Sequence, residues 1–154
     1  MRGRAVSVNE VTIDAPPPAV WDVLADPPSY EDWVVGNKEI RDYDRSWPAP
    51  GKEFHHRIGF GPFTVKDKSV SMEADSPRRL VINVRALPVG HGVVAFELSE
   101  SGSGTLLRME ERPAGGPAKL IWPVIDPLIK LRNAETLRRL RQVAESRHQA
   151  STRG

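Results

Sequence analysis

The chain reads as an α+β protein in which a curved antiparallel sheet of about seven strands wraps around a long C-terminal helix, with two short helices after the first strand. Three features of the sequence predict this. The stretch APPPAVWDVLADPPSYEDWV, residues 15–34, brackets a short apolar patch with prolines. Residues 36–113 hold six runs of strand character separated by Gly- and Pro-containing turns. From Asp126–Pro127 a helical pattern then runs to His148 without a breaker.

At 154 residues the chain is long enough to bury a core without staples. A single domain over 1–148 is expected, with a frayed tail at 149–154. Cysteine is absent, which removes disulfides, thiolate metal sites and thiol nucleophiles. The N-terminal MRGRAVSVNEV is basic but has no apolar run behind it, so no signal peptide is expected. No segment approaches the roughly 20 apolar residues of a membrane span. The expected location is the cytoplasm, without integral membrane association. The formal net charge of +2 arises late, in KLRNAETLRRLRQVAESRHQASTRG, which reads as a solvated helix face. No basic and aromatic interleaving accompanies it, so nucleic acid is not an expected partner.

The elements follow in order. Residues 4–14 form an edge strand carrying Val6, Val8, Val11 and Ile13, and the slip of phase between Val8 and Val11 predicts a bulge. Pro17 and Pro18 suit the first turn of a helix whose apolar side is Val20, Val23 and Leu24, with Trp21 flanking. Pro27 and Pro28 stop it after Asp26. SYEDW forms a second short helix, with Ser29 and Asp32 as an approximate capping box. The prolines thus make a rigid helix–kink–helix, suited to closing one end of a curved sheet.

The strand candidates are GNKEIRDYDRSW, KEFHHRIGF, FTVKDKSVSMEA, RLVINVRAL, VVAFELSE and LLRMEER. In the second of these, Phe54, His56, Ile58 and Phe60 alternate with Glu53, His55 and Arg57. SGSGT reads as a glycine-rich hairpin turn. The last helix is expected to start at Asp126–Pro127 and to bury Ile129, Asn133, Leu137, Leu140 and Ala144, joined by Thr136 and Val143. Leu128 and Leu131 fall off this stripe. They either meet a partner chain, which makes a homodimer one option, or pack on the KLIWPV segment.

Three stretches, VTIDAPPPAVWDVLADPPSYEDW, GTLLRMEERPAGGP and DPLIKLRNAETLRRLRQVAE, together with this order of elements, resemble the START-related (SRPBCC) superfamily. That superfamily includes the birch-pollen-allergen fold and the bacterial polyketide cyclase/dehydrase and lipid-transport proteins. The resemblance covers roughly residues 5–147. It implies a helix-grip fold with a cavity for a hydrophobic or aromatic small molecule; no cofactor is expected. Some members of the superfamily are catalysts and many only bind. No catalytic set carries over position by position.

Read residue by residue, the chemistry is sparse. Adjacent His55 and His56 point to opposite sheet faces and cannot chelate one metal, so no metal site is expected. His56 shares its face with Phe54 and Ile58: it either enters the cavity as donor or base, or is a hydrogen-bonded histidine at the sheet margin. Glu111 travels with Leu107 and Met109 toward the inside, while Glu110 joins Arg108 outside. Glu111 is then either a cavity acid or base, or half of an ion pair. Asp67 shares a face with Phe63 and Val65, although the phase slips before Val70 and Met72. Asn133 and Thr136 interrupt the apolar stripe of the long helix. A buried amide without a partner costs roughly 1–3 kcal/mol, so Asn133 requires a strand side chain, a water or a ligand.

The candidate ligand-binding set is Trp33, Phe54, His56, Ile58, Asp67, Phe96, Met109, Glu111, Asn133, Thr136 and Leu137. His56 and Glu111 are the candidates if there is catalysis. Three functions follow: binding of a small hydrophobic molecule, aromatic, polyketide-like or lipid-like; polyketide cyclisation with His56 or Glu111 moving protons; or an interaction module with an incidental cavity. The pocket readings expect a void of roughly 300 Å³ or more.

Overall fold

The computed structural model describes residues 6–60, 62–86 and 90–153. Strand β1 (Ser7–Ile13) leads into α1 (Pro17–Leu24), a 3-10 turn (Pro27–Ser29) and α2 (Tyr30–Trp33). There follow β2 (Asn37–Tyr43), β3 (Glu53–Phe60), β4 (Phe63–Asp75), β5 (Arg79–Ala86), β6 (Gly90–Ser101) and β7 (Gly104–Gly115). Helix α3 (Ala118–Arg153) ends the chain. All strand pairs are antiparallel and the order is β1-β7-β6-β5-β4-β3-β2. β2 to β7 are therefore a meander, and β1 closes the far edge beside β7. The sheet is curved and holds α3 in its concave side: this is the helix-grip arrangement.

Local chemistry explains most of these elements. Pro17 and Pro18 occupy the first turn of α1, where no helical donor is lost, and α1 buries Val20, Trp21, Val23 and Leu24. Gly102 turns β6 into β7 with φ +61°, a backbone conformation that glycine adopts without strain. On α3, Asn133, Thr136, Leu137, Leu140 and Ala144 are buried, as the spacing predicts.

Five details differ from the sequence reading. β1 pairs with β7 in unbroken register from Ser7 to Ile13, so there is no bulge; Ser7 and Ile13 are the fully buried ends, and Val8 belongs to the other face. The capping box does not form. Ser29 is itself in helical conformation, and its hydroxyl donates to the carbonyls of Val23 and Asp26 at 2.9 and 2.7 Å. Helix α3 starts at Ala118 and carries Pro123 and Pro127 inside it. Asp126, instead of capping a helix, pairs with the Ser7 hydroxyl and anchors α3 on β1. At the other end, residues 149–153 continue as exposed helix. The slip anticipated in β4 before Val70 is not there, since pairing with β3 runs unbroken from Phe63 to Val70; the irregularity comes later, in the β4–β5 register between Ser71 and Glu73, where Met72 is half exposed.

α3 is strapped across the sheet edge by polar bonds. Asn9 Nδ2 donates to the Lys130 carbonyl at 3.1 Å, and the Asp14 N–H donates to Glu145 Oε2 at 2.8 Å. Beneath it, Tyr30, Trp33, Trp47, Phe54 and Phe96 form one aromatic cluster with ring centroids 4.4 to 6.3 Å apart. This cluster plugs the α1–α2 end of the grip. Its polar atoms are all paired: Trp33 Nε1 donates to Ser29 Oγ, while Trp47 Nε1 and the Tyr30 hydroxyl both donate to the Leu24 carbonyl.

Candidate functional site

A cavity remains between α3 and the concave face of the sheet. Its floor is Phe54 and His56 of β3, Ser69 of β4, Ile82 and Val84 of β5, Val94 and Phe96 of β6, and Met109 and Glu111 of β7. Arg132 and Thr136 of α3 roof it, and Tyr30, Trp33, Val34 and Asn37 close one side. The open room at its heart is about 70 Å³, inside about 590 Å³ of empty space that runs out to solvent. That heart is narrower than the sequence reading expects, because the aromatic cluster fills much of the curve. A buried water needs roughly 10–15 Å³ of such room, so the heart admits several waters, and a ring would draw on the wider space that runs out to solvent.

Of the residues singled out from sequence, Trp33, Phe54, His56, Phe96, Met109, Glu111 and Thr136 line the cavity. Asn133 and Leu137 do not; both are buried core of α3. Asp67 lies opposite His56 in the β3–β4 register and is buried, but it is not a lining residue. Its Oδ1 accepts the Lys68 N–H at 2.9 Å and pairs with Arg85 Nε at 3.0 Å, so its carboxylate has a counter-ion of its own. The side chain of Ile58 lies outside the described residues.

The polar groups divide between two walls. On the floor, His56 is 2 % exposed and shares a hydrogen bond of 3.1 Å between its Nε2 and Ser69 Oγ. Its Nδ1 makes no hydrogen bond. Burial pulls the His56 pKa down from 6.5 to about 4, and the nearby Lys68 backbone and Asp67 only partly oppose this. The ring is therefore neutral at pH 7. Asn37, also at the cavity, has a buried and unpartnered Oδ1. On the roof, Asn133 Nδ2 donates to Glu111 Oε1 at 2.9 Å, and Arg132 Nη1 lies 3.8 Å from that oxygen. Arg132 Nη1 also donates to Asn133 Oδ1 at 3.3 Å, and its Nε to the Val35 carbonyl at 3.0 Å. Thr136 Oγ1 accepts the Val35 N–H at 3.2 Å. A strand, the long helix and the α2–β2 connection are thereby tied at one rim. Asn133 has the protein partner its burial requires, and Glu111 is at once an ion-pair member and a cavity residue.

Sequence reasoning missed Tyr30, Val34, Asn37, Ser69, Ile82, Val84, Val94 and Arg132. Ile82 and Val84 were within reach, since they share the inward face of β5 with Leu80. Arg132 offered no signal: beside Asn133 on a helix, it belongs by spacing to the flank. Among the described residues no group of three or more His, Asp or Glu could hold a metal ion, and no helix is long and apolar enough to cross a membrane.

Comparison with known proteins agrees with this geometry. The family model described as polyketide cyclase / dehydrase and lipid transport matches residues 4–145. No protein among curated sequences matches. Among solved structures, the chain is similar to a protein of unknown function from Staphylococcus aureus, with 13 % identity, 94 % of this chain and 95 % of that chain covered, and a TM-score of 0.74. It is similar to a Nitrosomonas europaea protein at 18 % identity, covering 92 % and 95 % with a TM-score of 0.71. It is also similar to the di-domain ARO/CYC StfQ of the steffimycin biosynthetic pathway, at 10 % identity and a TM-score of 0.72, with 93 % of this chain but 51 % of that chain covered. At these identities the solved structures speak for the fold. The family match, spanning nearly the whole chain, together with the gripped helix and the cavity beneath it, makes this chain a member of the polyketide cyclase/dehydrase and lipid-transport family.

Proposed function

We propose that the chain binds a small hydrophobic molecule, ring-shaped at its buried end and carrying a hydroxyl or carbonyl, in the cavity under α3. The observation that carries this reading is the contrast between the lining and its polar atoms. Phe54, Ile82, Val94, Phe96 and Met109 offer apolar surface worth roughly 25 cal/mol per Å² covered. Beside that lining, His56 Nδ1 and Asn37 Oδ1 are closed off from solvent without a hydrogen-bond partner of normal geometry, so a polar group that reached either would satisfy it. A hydroxyl both donates and accepts, so it suits either atom. Any chain or second ring on the ligand would extend along the space that runs out to solvent.

The test is titration with a naphthol, read by tryptophan fluorescence and thermal shift. Trp33 lines the cavity, so bound naphthol should quench it. Val94→Phe places a ring in the same room and should weaken binding at least tenfold. Equal affinity in wild type and variant would overturn the proposal.

A second reading, cyclisation of a poly-β-carbonyl chain, is favoured by the family match and by the naming of StfQ as an ARO/CYC. Here His56 acts as a neutral acceptor or donor, since its pKa of about 4 leaves no imidazolium near neutral pH. A turnover rate that is flat above about pH 5 and collapses in His56→Ala would support it. Absence of turnover, with binding intact, leaves the receptor reading alone.

A further inference from the structure

Five large apolar side chains in the first half of α3 are exposed: Leu120, Ile121, Val124, Leu128 and Leu131, four of them by 68 to 85 %. At about 100° per residue, Leu120, Val124, Pro127 and Leu131 form one narrow strip spaced four, three and four residues apart. Exposed Pro123 and Leu128 flank it. This strip faces away from the cavity and takes no part in the proposed ligand site. We infer that it is an interface between two copies of this chain, with their α3 helices packed antiparallel about a two-fold axis beside residues 125 and 126.

Three observations carry the inference to a second copy. The spacing reads the same in either direction, so the two-fold axis sets Leu120 of one copy against Leu131 of the other and Val124 against Pro127. An isologous contact requires such self-complementarity, and a partner of unrelated sequence does not. Leu120, Val124, Leu128 and Leu131 lie side by side and are each 68 to 85 % exposed, a contiguous apolar patch of the kind that marks an interface. The strip itself holds no charge. Lys119 and Lys130 border it, and Asp126 is turned inward onto Ser7, so the charges lie at the rim of the contact and not in its centre.

A lipid surface fits less well. Pro123 and Pro127 leave the carbonyls of Lys119 and Pro123 without their helical donors, and hydrocarbon cannot supply replacements. Water trapped at a protein–protein interface can.

The test is sedimentation equilibrium of the full chain between about 1 and 200 µM. The expected result is a mass of two 17.1 kDa chains at the high end. Leu120→Glu and Leu131→Glu, at positions already exposed, should each weaken association at least tenfold with circular dichroism unchanged. Mixing Leu120→Lys chains with Leu131→Glu chains should restore dimers that neither forms alone, because the antiparallel register makes these two positions neighbours. A monomer throughout, a dimer indifferent to both glutamates, or no rescue on mixing would each overturn the inference. So would capture of a monomeric wild type by phosphatidylserine vesicles, which assigns the strip to lipid.

Discussion

His56 is held between an apolar floor and Ser69, with one ring nitrogen bonded and the other not. Its pKa of about 4 in the folded chain, against 6.5 for the free side chain, has a consequence for stability. As pH falls through about 6.5, the unfolded chain takes up a proton that the folded chain refuses until about pH 4. Stability contributed by neutral His56 is therefore complete above pH 7 and is lost between about 6.5 and 4. The full shift corresponds to on the order of 3 kcal/mol. Urea unfolding at pH 7.5 and 4.5 should show a larger loss in wild type than in His56→Gln, and identical losses would contradict the buried neutral ring. That His56 faces inward was legible from its alternation with Phe54. Its bond to Ser69 was not, because pairing across β3 and β4 depends on register, which no single strand records.

At the scale of elements, β1 closes the sheet against β7, and Gly104 of β7 shows how tight that seam is. A Cβ added there would sit 2.3 Å from the Ile13 carbonyl oxygen, a backbone atom held by the β1–β7 ladder. Gly104→Ala should cost about 1–3 kcal/mol, read as a lowered urea midpoint. Gly102→Ala, whose Cβ would meet nothing but whose φ is +61°, should cost about 1–2 kcal/mol, from backbone strain alone. Equal costs would mean that the close approach is not tight. The start of α3 was the least legible boundary. Asp126–Pro127 has the form of a helix start, yet the helix already runs from Ala118, and Asp126 is drawn to a hydroxyl 119 residues away. Local start signals lose to tertiary contacts when the capping group finds a stronger partner.

For the molecule as a whole, the rim network of Glu111, Asn133, Arg132, Thr136 and Val35 decides how firmly helix, sheet and the α2–β2 connection stay together. Asn133→Leu keeps the branched shape at a larger volume and leaves Glu111 to the more distant Arg132, and should cost about 1–3 kcal/mol. The same variant should admit naphthol faster in stopped-flow mixing, because the rim then holds less tightly. An unchanged urea midpoint would show that the network is ornamental to stability. The cavity survives beneath this rim only as a small space, since the five-membered aromatic cluster occupies the other end.

By itself the sequence determined the order of elements, the meander, the inward Phe54 and His56 of β3, the inward set of β7, and most of the buried stripe of α3. Each rests on periodicity or on turn chemistry that is local to the chain. Only the tertiary structure decided which side chains share the cavity, how little room they leave, that Asn133 spends its amide on Glu111, and that one face of α3 stays bare. Those outcomes depend on distances between residues far apart in sequence, and hydrophobic pattern specifies which side faces in without specifying what it meets there.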